Sequence, residues 1–194
     1  MSDHVPNNLH QPLVLVVGRL PIAVDALARA DWTVRACESD DIIARMTGCV
    51  PAAVVAPPAL TRTIRDFDAL LPVIDAADEA SIADRAAVWH PQDRMAAAFR
   101  LIDLFGASAL LPSYLGLAAQ LRDQLAAHDP GDHAHRIAGL AGTLGFTALG
   151  EEWRAVSEGD LASLPLARRE SQIVALGIEA AFGPHAPGDT RRSS

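Results

Sequence analysis

The chain has 194 residues, half of them hydrophobic, with 16 basic and 24 acidic side chains and a formal charge of −8. That length is one large domain or two small ones, and the apolar content supports a packed core rather than wholesale disorder. The acidic balance argues against the concentrated basic face of a nucleic-acid binder. Every basic residue in that count is arginine, which with the abundant alanine fits a GC-rich bacterial coding bias. Cys37 and Cys49 make neither a disulfide framework nor a zinc spacing, so a reduced, cytoplasmic compartment is expected. Residues 1–10 carry no basic n-region and no apolar core, and read as a flexible N-terminus rather than a signal peptide. The longest apolar runs, such as Ala52 to Ala56 and Ala107 to Leu111, are too short to span a bilayer.

From Gln11 to about His90, short β-like runs alternate with helical stretches. Leu13 to Val17 is a continuous β-branched and leucine run ended by Gly18, the pattern of a strand buried on both faces. Ile22 to Ala30 reads as a helix and Trp32 to Cys37 as a second strand. Asp40 to Met46 reads as a helix capped by Ser39 or Asp40. Ala52 to Ala56 is a third strand cut off by Pro57-Pro58, and Leu71 to Ile74 and Ala86 to Trp89 are weaker fourth and fifth candidates. Such alternation implies a parallel sheet with helices on both faces.

After Phe105 the strand signals stop. Leu110, Tyr114, Leu117, Leu121 and Leu125 form one helical stripe within Leu110 to Ala127. Asp129-Pro130-Gly131-Asp132 reads as a helix start, with an aspartate cap and proline at the first position. The next helix carries Ile137, Leu140, Ala141 and Leu144, and a third carries Leu149, Trp153 and Val156. The last, roughly Leu166 to Phe182, carries Ile173, Leu176 and Ile178 ahead of Gly183-Pro184. Four amphipathic helices with short joints predict an antiparallel four-helix bundle. The fold class expected is therefore α/β followed by all-α: a doubly wound parallel sheet over residues 11–105, a four-helix bundle over 106–183, and a flexible tail over 184–194.

The informative stretch is residues 134–146, AHRIAGLAGTLGF. On a helix, His135 shares a face with Ala138, Gly139 and Gly142, three, four and seven residues on. Glycine inside a helix costs about 1 kcal/mol relative to alanine, so two on one face need a reason. One is access of a macromolecule to the imidazole. The other is a packing groove along Gly139, Gly142 and Gly145.

The stretch resembles the signature of histidine-containing phosphotransfer (HPt) domains, roughly A-H-x-L-K-G-x-A-x-x-L-G. Ala134, His135, Ile137, Gly139, Ala141, Leu144 and Gly145 fit it in register, and the resemblance covers about Leu110 to Phe182. It implies a four-helix bundle in which His135 accepts and passes on a phosphoryl group. Arg136, Ala138, Gly139 and Gly142 would form the partner-docking face around it. Neutral imidazole is a nucleophile at cytoplasmic pH. A partner receiver would bring Mg²⁺ and the acidic pocket, so the chain needs no cofactor of its own. The family usually has lysine three residues after the histidine, where this chain has Ala138. Arg136 lies about 100° away round the helix and is no simple replacement. The expected partners are a sensor histidine kinase and response-regulator receivers, with no nucleic acid and no membrane. The chain would be a phosphoryl carrier without independent catalysis, its oligomeric state open between monomer and homodimer.

The first half resembles a response-regulator receiver domain. The run from Trp89 through His90-Pro91 into the helix Arg94 to Phe105 is similar to the family's fifth strand, Lys-Pro and last helix, with His90 in place of the lysine. Gly18-Arg19 follows the first strand where the family has a metal-binding acidic pair. Ala56 stands for the phosphorylated aspartate and Ala77 for the expected Thr or Ser. Without those carboxylates the half reads as a degenerate pseudo-receiver used for docking or dimerisation. Asp75 and Asp78, near the strand ends, read as ordinary loop or cap residues.

Other constellations are weaker. His128, His133 and His135 with Asp129 and Asp132 list metal-ligand types, but a helical pair two residues apart diverges by about 200°. Gly18 after a strand lacks the further glycines of a phosphate loop. Cys37, Cys49, Trp32 and Trp153 read as core. The alternative to a carrier is a non-phosphorylated module that binds a kinase or response regulator. An enzyme with a site between the halves ranks last, because no nucleophile–base pair is evident.

Overall fold

A computed structural model describes residues 12–127 and 133–183. The two expected flexible ends and the helix start at Asp129 to Asp132 lie outside those residues. The first half runs β1 (Leu13–Val17), α1 (Pro21–Arg29), β2 (Thr33–Cys37), α2 (Ile42–Thr47), β3 (Ala53–Ala56), α3 (Thr61–Phe67), β4 (Val73–Asp75) and α4 (Ile82–Ala87). All four strands are parallel, in the order β2-β1-β3-β4. The period of two along the strands splits the core. Val14 and Val16 pack under Leu27, Ile82 and Ala86 from α1 and α4. Leu15 and Val17 pack under Ile42, Met46 and Ile64 from α2 and α3. Opposite faces for α1 and the α2–α3 pair are what right-handed crossovers require when the chain steps first one way and then the other across the sheet.

Two expectations fail here. Ala86 to Trp89 is not a strand: α4 runs through Ala87, and the Trp89 N–H closes a turn onto the Ala86 carbonyl. Its apolar residues are one face of a helix, since Ile82 and Ala86 are both fully buried against α1, and short apolar runs do not distinguish the two states. The entry to α2 differs as well. A 3₁₀ turn over Ser39–Asp41 precedes it, and neither Ser39 nor Asp40 supplies a side-chain cap.

The second half is helical: α5 (Gln92–Phe105), α6 (Ala107–Ala126), α7 (His133–Thr143), α8 (Thr147–Ser157) and α9 (Leu164–Phe182). These share one core, built on Tyr114, Leu117, Leu121, Ile137, Leu149, Trp153, Val174 and Ile178. Met95, Ala98 and Ile102 join it. The helix expected to close the sheet therefore packs on the helices instead, since its buried side chains meet α6 and α9. Two polar groups deep in this core have hydrogen-bond partners, as burial demands. The Tyr114 hydroxyl lies 3.3 Å from the Ala98 carbonyl and 3.2 Å from that of Leu144. The Trp153 indole donates to Ser171 Oγ at 2.9 Å.

Helix α9 also joins the halves. Leu176 enters the α2–α3 side of the sheet core, and the Gln172 amide donates to the Leu70 carbonyl at 2.7 Å. Arg122 of α6 forks between Glu179 and Asp68, and both carboxylates hold its guanidinium charged.

Candidate functional site

Helix α7 presents the residues singled out in the sequence. Its buried side is Ala134, Ile137, Ala138 and Ala141. His135, Arg136, Gly139, Gly142 and Thr143 are exposed. Ideal Cβ atoms built on Gly139 and Gly142 meet nothing within 4 Å. Among the described residues nothing stands over the Cβ positions of these two glycines, although α8 meets the Gly142 backbone from the side, so they leave open space beside the imidazole. Among the same residues the His135 ring is held by no hydrogen bond, ion pair or ring contact.

One expected member of the face is displaced. Ala138 is only 6% exposed and belongs to the helical core. It lies about 60° from His135 round the helix, on the side turned to α8. Its carbonyl would sit 3.2 Å from a Cβ on Gly150 of α8. Arg136 remains on the surface but is committed locally, its guanidinium 2.7 Å from His133 Nδ1.

Helix α7 ends where Gly145 adopts φ +88°. The Phe146 N–H bonds to the Ala141 carbonyl and the Gly145 N–H to that of Gly142, a Schellman pairing that needs a left-handed residue. A Cβ at Gly145 would also stand 2.9 Å from Ala97 Cβ. The third glycine of the series is therefore structural, unlike the other two. The reversal it makes lays α8 back along α7. Gly150 allows the close approach, since its Cβ would meet the Ala138 oxygen at 3.2 Å and the Gly142 nitrogen at 3.3 Å. Sequence reasoning passed over Gly150, although a lone glycine within a helical pattern was the available signal.

The carboxyl edge of the sheet holds Gly18, Glu38, Pro57 and Ala76, the residues that follow the four strands. Asp75 Oδ1 accepts from the Ala77 N–H at 2.9 Å, a local turn bond, and Asp78 precedes a 3₁₀ turn. The Asp75 carboxylate thus behaves as a turn residue, while Asp78 makes no side-chain cap. Glu79 is used differently: its Oε1 accepts from the Ile22 and Ala23 N–H groups at 2.6 and 3.1 Å, capping α1 and meeting the positive end of its dipole. His90 does not reach this edge. Its ring lies edge-on to Trp32, centroids 4.7 Å apart, near the Asp31 carbonyl. Trp32 precedes β2, so His90 is at the amino end of the strands and is no counterpart of the receiver lysine.

His133 and His135 stand on different sides of α7, and His128, Asp129 and Asp132 lie outside the described residues. Among the described residues no group of three His, Cys, Asp or Glu side chains could hold a metal ion. No helix in them is long and apolar enough to cross a membrane. No family model matches the chain, and no curated protein or solved structure matches it at a significant level.

Proposed function

We propose that the protein is a histidine phosphotransfer protein of a bacterial two-component phosphorelay, carrying a phosphoryl group on His135. The observation that carries this reading is the bare strip on α7, where an exposed imidazole stands beside two glycines with open space above them. In this reading α6 to α9 are the antiparallel bundle and α5 braces its side. The order β2-β1-β3-β4 supports a receiver-like ancestry, since doubly wound sheets of the type 2-1-3-4-5 differ from it by one edge strand. With Gly18-Arg19 after β1 and Ala56 ending β3 where a receiver has metal and acceptor carboxylates, this half serves as a pseudo-receiver for docking or dimerisation.

The transfer asks little of the carrier beyond presentation. A nitrogen lone pair of the neutral imidazole attacks the phosphorus of an aspartyl phosphate or of a phosphorylated kinase residue. The N–P bond forms as the bond to the donor atom breaks, and the donor leaves with the electron pair. The partner receiver's Mg²⁺ and acidic pocket neutralise the in-line transition state. Open backbone at Gly139 and Gly142 lets that pocket close over the ring.

The alternative, a module that binds a kinase or regulator without accepting phosphate, is favoured by one observation: buried Ala138 occupies the family's lysine position. Incubation with ³²P-labelled receivers and kinases, beside His135→Gln, separates the two. The carrier reading expects an acid-labile, base-stable label that vanishes in the variant. Binding without label to any member of the panel would refute it and leave the docking module.

A further inference from the structure

Resting on the carrier reading above, we propose that Arg154 on α8 supplies the positive charge that stabilises the phosphoryl group on His135, in place of the absent lysine.

The register of the α7–α8 pair leads to it. Helix α8 runs antiparallel to α7 after the turn at Leu144 to Phe146, and Gly150 sits against the backbone between Ala138 and Gly142. One turn further along α8 is one turn back along α7, so Arg154 stands level with the turn that carries His135. The angular positions agree. On α8, Leu149, Trp153 and Val156 are buried and Gly150 faces α7. Arg154 is rotated about 40° from Gly150, away from that buried side, and is exposed. On α7, His135 is displaced toward solvent from Ala138, the residue facing α8. Both side chains thus border the same outer groove between two helices whose backbones touch.

Arg154 is also uncommitted. Among the described residues its guanidinium makes no ion pair, although exposed Glu151 lies on its own helix and exposed Glu158 just after it. Arg136, the nearer cation in sequence, is turned onto His133. A guanidinium across the groove presents paired N–H donors to phosphoryl oxygens.

Phosphoramidate is the probe, because it needs no partner protein. The His135 nitrogen forms the N–P bond, the P–N bond of the reagent breaks, and ammonia leaves. Phosphohistidine is followed by ³¹P NMR on the full chain, with thermal melting for each variant. Arg154→Ala and Arg154→Gln should form it about tenfold more slowly, the size expected for one charge-assisted hydrogen bond. Arg154→Lys should recover most of that loss, and Arg62→Ala, on the remote α3, should change nothing. Wild-type rates in both Arg154→Ala and Arg154→Gln would overturn this role and leave the carrier intact. Absence of phosphohistidine in the wild type would overturn the carrier reading and this role together.

Discussion

Replacing Gly139 and Gly142 by alanine should make the protein more stable, and the size follows from the structure. Both glycines lie within α7, whose helical φ,ψ alanine shares, and neither added Cβ meets another atom within 4 Å. Alanine then gains the full helix-propensity difference, about 1 kcal/mol, at the interior position Gly139. At Gly142, in the last turn, roughly half of that is expected, because frayed ends realise less of the propensity. The double variant should gain about 1.5 kcal/mol, which for a chain of this size raises Tm by roughly 3–6 °C. Gly150→Ala is the counter-case. It has the same propensity gain, but its Cβ would stand 3.2–3.3 Å from backbone atoms of α7, which cannot rotate away as a side chain can. It should lose stability despite the gain. Thermal and urea unfolding followed by circular dichroism at 222 nm measure all three. A neutral or destabilised Gly139→Ala would refute the reasoning, because it would mean that something packs on the bare strip.

Two further outcomes rest on the core. Ser171→Ala strands the fully buried Trp153 indole N–H, whose acceptor is Ser171 Oγ; it should cost about 1–3 kcal/mol with a shift in Trp153 emission, and unchanged urea unfolding would contradict the bond. Burial raises Tyr114 above its ordinary value of 10.0, so the folded state holds the phenol proton more tightly than the unfolded chain does. The stability this contributes is complete below pH 10 and is lost as the pH rises through the folded value. Tyr114 is the only tyrosine, so its phenolate absorbance reports this directly; a titration midpoint at or below 10 would contradict the burial.

The site and the fold were legible in the sequence to different depths. His135 and the two open glycines were readable because helical spacing alone puts positions 135, 139 and 142 on one face. The same arithmetic misplaced Ala138. Residues three apart share a face only within about 60°, and which flank of that face meets a neighbouring helix is set by α8. The β1 and β3 runs were readable because strands buried on both faces are continuously apolar. The Ala86 to Trp89 run was not, because α4 and a strand offer the same short apolar pattern.

What the sequence determined by itself is therefore local: the order of β1 to β4, the exposed histidine, and the absence of carboxylates after β1 and at the end of β3. These depend on side-chain period and on residue identity. What only tertiary structure decided is where each face is spent. It put α5 against the helices rather than the sheet and turned His90 to the amino end of the strands. It separated Gly145, held by its positive φ and by Ala97, from two glycines with open space above them. It also brought α8 back along α7 so that Arg154 stands level with His135. Such pairings join residues far apart in the chain, and they are set by which surfaces bury together, a choice that no local period encodes.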